Sequence, residues 1–262
     1  MAGAEEILKK GDEAYRQKNY TGAFSFYQKA AEKDPSDAAA HSGLGRVYFR
    51  RKEIPKAIEE LKAAIGMGQD DAPTYYALGL AYEGNGELGK ALECYDNALD
   101  MKPDSSQILY SRGIVLAAMG SYDEAVVSFS GALEVNPDNP EALLQRGNTL
   151  LLAESYEAAI EDFRRAADLK PKDARAYNGI AIAQREMGLL SDAVESYKKA
   201  AALEPGNEKL KKSLDNLSRE LRRGEGRPAK GTGRGVGLGQ KAEELEEEAK
   251  RLRLHEERRL RW

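Results

Sequence analysis

The chain has 262 residues, 41% of them hydrophobic and 32% charged, with a formal net charge of −4. That modest negative charge argues against a strong nucleic-acid binder, which usually carries a basic face. Cys94 is the single cysteine, which excludes an intrachain disulfide and a thiolate metal cluster; it is expected to be a small buried hydrophobe. The first residues, Met1-Ala2-Gly3-Ala4-Glu5-Glu6, show no basic region followed by an apolar run. No apolar stretch approaches the roughly 20 residues of a membrane span. A soluble, cytoplasmic protein is the expectation.

In chain order, the sequence predicts one helix–turn–helix–stop unit six times, over residues 4–37, 38–71, 72–105, 106–139, 140–173 and 174–207. The first unit closes at Pro35. The second has Gln69 where the others have proline, but Gly66 and Gly68 can end its helix. The third closes at Pro103. In the fourth, the first helix is expected from about Ser106 to Met119, the turn at Gly120-Ser121, and the second helix from about Asp123 to Val135, with Pro137 closing. The fifth opens with Asn139-Pro140, a capping residue followed by proline at the first helical position, and closes at Pro171. The sixth closes at Pro205. Proline cannot continue a helix and biases the residue before it away from helical geometry. Residues 208–223 are expected to form one more helix, with Leu210, Leu214, Leu217 and Leu221 on one face. A stack of repeats needs such a cap over its last apolar face. Residues 224–240 hold seven glycines in seventeen positions and are expected to be a flexible linker. Residues 241–262 are expected to be a charged tail helix, with Ala242, Leu245, Ala249 and Leu252 in heptad rhythm. Its acids (Glu243, Glu244, Glu246, Glu247, Glu248) precede its bases (Arg251, Arg253, Arg258, Arg259, Arg261), the order that suits a helix dipole.

The register is set by three columns of residues, each stepping by 34. The first is Gly11, Gly45, Gly79, Gly113, Gly147 and Ala181. The second is Ala23, Ala57, Ala91, Ala125, Ala159 and Ala193, and the third is Ala30, Ala64, Ala98, Ala132, Ala166 and Ala200. If alanine takes about one position in ten, six in register arise by chance about once in a million. A glycine inside a helical pattern costs about 1 kcal/mol relative to alanine, which is tolerable where another helix must come close. The two alanine columns lie seven apart and so share one helix face. Between them stand large residues at Tyr27, Leu61, Tyr95, Phe129, Phe163 and Tyr197, which fill the space the small ones leave.

These residues resemble the tetratricopeptide repeat (TPR) family, which has a small residue in the first helix, two alanines bracketing an aromatic in the second, and a closing proline. Gly79, Ala91, Tyr95, Ala98 and Pro103 show the pattern. The resemblance covers about residues 4–207, with Gln69, Leu61 and Ala181 as the main departures. It implies an all-α, right-handed α-solenoid of six repeats that serves as a non-enzymatic scaffold, with a peptide or amphipathic helix of another protein held in a concave groove lined by the first helices. By that register the groove residues would be Tyr15, Arg46, Phe49, Arg50, Tyr76, Leu80, Tyr110, Ile114, Leu144, Asn148, Leu151, Asn178, Ile182 and Arg185. Charge would sit at both ends and the middle would be apolar. One branch of the family holds the acidic C-terminal tails of heat-shock chaperones with lysine, asparagine and arginine. Leu8, Asp12, Gly43, Pro73 and Ala77 stand at the matching places, so that mode is not expected.

No catalytic constellation is evident. His41 lies where other units have Ile7, Tyr75, Leu109, Leu143 and Tyr177, so a packing role is expected; His255 sits among charges. No histidine pair has metal-ligand spacing. After Gly226 and Gly231 comes Thr232, where a phosphate loop needs lysine. No cofactor and no metal are therefore expected. Two alternatives involve the tail. It could dock on the groove or pair with a second copy, regulating the scaffold. It could also bind RNA or an anionic surface weakly, since residues 224–262 carry 10 Lys/Arg and 8 Asp/Glu, a net of only +2.

Overall fold

A computed structural model of the protein describes residues 2–223. The expected linker 224–240 and tail helix 241–262 lie outside the described residues. Among the described residues there are thirteen α-helices and no strand. They come as six pairs: α1 (Ala2–Arg16) with α2 (Tyr20–Lys33), α3 (Ala38–Arg50) with α4 (Ile54–Gly66), α5 (Ala72–Gly84) with α6 (Leu88–Met101), α7 (Ser106–Ala118) with α8 (Tyr122–Val135), α9 (Pro140–Leu152) with α10 (Tyr156–Leu169), and α11 (Ala174–Glu186) with α12 (Leu190–Leu203). A thirteenth helix, α13 (Glu208–Arg223), follows. The chain divides into two compact units, Met1–Val115 and Leu116–Trp262, with the boundary falling within α7.

Local chemistry explains where the helices begin and turn. Asp37, Asp71, Asn139 and Asp173 each accept a hydrogen bond from a backbone N–H in the first turn of α3, α5, α9 and α11, which satisfies a donor the helix itself cannot. Asn207 does the same for α13. In five of the six repeats this cap stands two residues after the closing proline, or would do so by register. The second repeat, lacking that proline, instead ends α4 through Gly68 at φ 97°. The turn inside each pair places one residue in the left-handed region, at Lys18, Lys52, Gly86, Gly120, Glu154 and Gly188. Glycine adopts that backbone freely, whereas Lys18, Lys52 and Glu154 hold it at a cost of about 1–2 kcal/mol each.

The core is made from the columns. Both alanine columns of the second helices are no more than 1% exposed, and Tyr27, Leu61, Tyr95, Phe129, Phe163 and Tyr197 are no more than 2% exposed. The glycine column works as a socket floor. A Cβ on Gly79 would stand 2.5 Å from the Tyr95 ring, and one on Gly147 2.7 Å from Phe163. A second wall comes from the following first helix. A Cβ on Gly43 would stand 2.5 Å from Tyr27, and one on Gly179 2.5 Å from Phe163. Each of these two rings is thus held between its own first helix and the next one, and the small residues Gly43 and Gly179 were not apparent as part of the pattern.

In the first unit, the main core gathers Leu61, Leu78, Tyr82, Tyr95, Ile108 and Val115, with Phe49, Tyr76 and Leu80 packed partly buried against it. In the second unit, α13 seals the last pair. Leu210 and Leu217 are buried with Tyr197 and Val194, and Leu214 is partly buried beside them. Leu221, expected on the same face, is 38% exposed, because it lies at the end of the helix. The second unit also buries an ion pair: Asp162 of α10, 2% exposed, accepts from Nε and Nη2 of Arg146 on α9, both at 2.7 Å. Arg146 Nη1 donates to Ser130 Oγ of α8 at 2.8 Å.

Candidate functional site

The first helices of the first unit bring together residues 34 or 35 apart. Asp12 on α1 receives a hydrogen bond from the Tyr27 hydroxyl at 2.6 Å and one from Arg46 Nη2 on α3 at 3.2 Å. The Arg46 guanidinium also lies over the Tyr15 ring, 5.1 Å from its centroid. Arg50 Nε donates to the Tyr15 hydroxyl at 3.2 Å, and Tyr20 meets Tyr15 edge-on at 5.4 Å. Burial, reinforced by the Asp12 carboxylate that accepts its proton, pushes the Tyr27 hydroxyl well above the ordinary phenol range. Two repeats on, the Tyr95 hydroxyl donates to Glu83 at 2.6 Å, and burial followed by that bond raises it too. Tyr76 tilts against Tyr95 at 5.7 Å and shares a hydrogen bond with Ser111 at 3.2 Å.

Of the residues placed on the face by register, Tyr15, Arg46, Phe49, Tyr76, Leu80, Tyr110 and Ile114 are half-buried in the first unit, and Arg50 is exposed. Tyr15, Arg46 and Arg50 form one connected cluster, and Phe49, Tyr76 and Leu80 lie together on the core. In the second unit, Asn148 and Arg185 are exposed, while Leu151, Asn178 and Ile182 are half-buried. Leu144 is 3% exposed and belongs to the core; its side chain is not available to a partner. Leu152, absent from the expected set, is 59% exposed. It stands at the register position of Arg16, Arg50, Gly84 and Ala118, of which the expected set includes only Arg50. The Tyr20 ring and Tyr27 hydroxyl were also missed, because neither is on the inward face of a first helix.

His41 does more than pack. Its Nδ1 meets Glu60 Oε2 of α4 at 2.6 Å and its Nε2 meets the Pro35 carbonyl at 3.1 Å. Burial works to lower its pKa, but Glu60, the Pro35 carbonyl and Asp37 together outweigh burial and hold it above the ordinary value of 6.5. A raised folded pKa stabilises below the unfolded value, and that contribution is lost as pH rises through the folded one. The first unit is therefore expected to melt at a lower temperature at pH 9 than at pH 6, with His41→Leu flattening the difference. An equal pH dependence in His41→Leu would assign the effect elsewhere.

Cys94 is buried, and burial pushes its thiol up to about 11, so it is inert at neutral pH. Among the described residues, no group of three or more His, Cys, Asp or Glu could hold a metal ion. Among the same residues, no helix is long and apolar enough to cross a membrane.

Two tetratricopeptide repeat family models match the chain, one over residues 14–81 and the other over 76–140, 113–174 and 144–208. The chain belongs to the tetratricopeptide repeat family, whose repeats serve as protein–protein interaction scaffolds. Among curated proteins no sequence match is found. Solved structures share the fold. YrrB, a TPR protein with an unusual peptide-binding site, is 21% identical with a TM-score of 0.66, covering 72% of this chain and 97% of its own. PilF of Pseudomonas aeruginosa is 20% identical with a TM-score of 0.68, covering 81% and 97%. MamA of Desulfovibrio magneticus RS-1 is 22% identical with a TM-score of 0.62, covering 66% and 97%.

Proposed function

We propose that this protein is a non-enzymatic adaptor that takes an extended peptide or an amphipathic helix of another protein on the first-helix face of its first unit. The observation that carries this reading is the half-buried apolar strip of Phe49, Tyr76 and Leu80, flanked by the Tyr15–Arg46–Arg50 cluster. A partly open aromatic surface beside fixed cations suits a peptide that inserts apolar side chains and pairs its polar groups at the rim. Peptide binding by YrrB, a protein of similar fold, supports the reading.

The test is affinity purification with the wild type and with a Phe49→Ala, Tyr76→Ala, Tyr110→Ala variant. Circular dichroism would first establish that the variant keeps its helices. The variant is expected to lose partners that the wild type retains. Recovery of the same partners in the same amounts would show that this face is not where they bind.

A further inference from the structure

The cations of this face outnumber the carboxylates free to pair with them. Arg16 and Arg50 occupy equivalent positions of α1 and α3, and both are exposed. Among the described residues, neither forms an ion pair with a carboxylate. Arg16 Nε donates to the Asp12 carbonyl of its own helix at 3.4 Å, and Arg50 Nε to the Tyr15 hydroxyl at 3.2 Å. One turn before Arg50, Arg46 reaches Asp12, but that carboxylate also accepts the Tyr27 proton. Arg46 Nε is buried without a hydrogen-bond partner among the described residues, which is destabilising unless an acceptor arrives. Three arginines thus face Asp12, and Glu83 on α5 is already taken by the Tyr95 hydroxyl. The Arg46 guanidinium is oriented in advance by the Tyr15 ring beneath it, so less freedom is lost when it binds. Beside the cations lies the floor of Phe49, Tyr76 and Leu80. Gly84 lies beside that floor, where an added Cβ would make ordinary contact with Ile54 at 3.5 Å and Phe49 at 3.8 Å.

We propose that this arginine edge binds an acidic peptide segment, with carboxylate side chains on Arg16, Arg46 and Arg50 and a neighbouring aliphatic or aromatic side chain on Phe49 and Leu80. The proposal rests on the first-helix face being the partner surface and adds the chemistry of the partner. With three arginines against Asp12 the edge is net positive, which draws carboxylate side chains. These positions differ from those of the chaperone-tail clamp.

Residues 243–248 of this chain, Glu-Glu-Leu-Glu-Glu-Glu, have this chemistry and supply the probe. A fluorescein-labelled, C-terminally amidated peptide of residues 241–250 is titrated into the full chain and followed by anisotropy. The full chain carrying Glu243→Gln, Glu244→Gln, Glu246→Gln, Glu247→Gln and Glu248→Gln removes competition from its own copy of the sequence. The peptide is expected to bind that chain saturably, more weakly as salt rises. Arg16→Glu with Arg50→Glu should weaken it about tenfold or more, while Lys209→Glu with Lys212→Glu on α13 leaves it unchanged. A peptide with glutamine at all five positions should not bind. Circular dichroism of each variant guards against unfolding. No saturable binding, or binding that survives the two arginine reversals, overturns the proposal. If it fails while the Phe49, Tyr76, Tyr110 variant still loses its partners, the face stands and only its acidic specificity falls.

Discussion

Asp162→Ala is expected to destabilise the second unit by about 3–5 kcal/mol, seen as a lower urea midpoint for the unfolding of that unit. The carboxylate is held by two charge-assisted hydrogen bonds from Arg146 at 2.7 Å, and Arg146 is tied in turn to Ser130. Three helices, α8, α9 and α10, therefore meet at one guanidinium. Burial pushes the Asp162 carboxyl above the usual carboxylate range, with Arg146 pulling it back. Removing the carboxylate leaves a cation in a site with little water, and the loss comes mostly from that stranded charge. The apolar double replacement Arg146→Met with Asp162→Leu should accordingly cost far less than either single change. A single Asp162→Ala change that left the midpoint unmoved would mean that α9 and α10 are held by packing alone.

Phe163→Ala should cost a similar amount, about 3–5 kcal/mol. The ring is 0% exposed and is gripped from both sides, by Gly147 of α9 and Gly179 of α11. Both walls are helix backbone, which closes poorly around a missing ring, so a cavity should persist. The converse change tests the same socket. Gly179→Ala raises helix propensity yet is expected to destabilise by about 1–3 kcal/mol through overpacking. Phe163→Leu should recover part of that loss in the double variant, since the smaller side chain gives the new methyl room. Additive effects in the double variant would show that residues 163 and 179 do not share a socket.

The fold was legible because its signal is repeated six times. Helix ends followed from capping residues and prolines, and the Ser106–Ala118 and Tyr122–Val135 helices lie within a residue of expectation. The Arg146–Asp162 pair was not read, because both residues lie in columns of mixed character: Lys10, Leu44, Leu78, Arg112, Arg146 and Ile180 for one, and Phe26, Glu60, Cys94, Ser128, Asp162 and Ser196 for the other. Periodicity says nothing of a pair at such positions. The candidate face was legible only as positions. Which side chains stay open depends on the bulk of their neighbours, so Leu144 is covered while Leu152 is not. His41 was read from apolar neighbours in its column, and its true partners, Glu60 and Pro35, lie on other elements.

The shared ring sockets bear on how such a chain can grow or shrink. At Tyr27 and Phe163 the ring belongs to one 34-residue block, one wall comes from that block, and the opposite wall, Gly43 or Gly179, comes from the block that follows. Inserting one whole block keeps such a ring and its two walls in step. An insertion of any other length leaves a ring with one wall or a wall with no ring. Gene duplication in whole blocks is then nearly silent for stability, and intermediate lengths are penalised at once. Block number is free to vary while block length is not, and a new surface can be added to either unit without redesigning the old one.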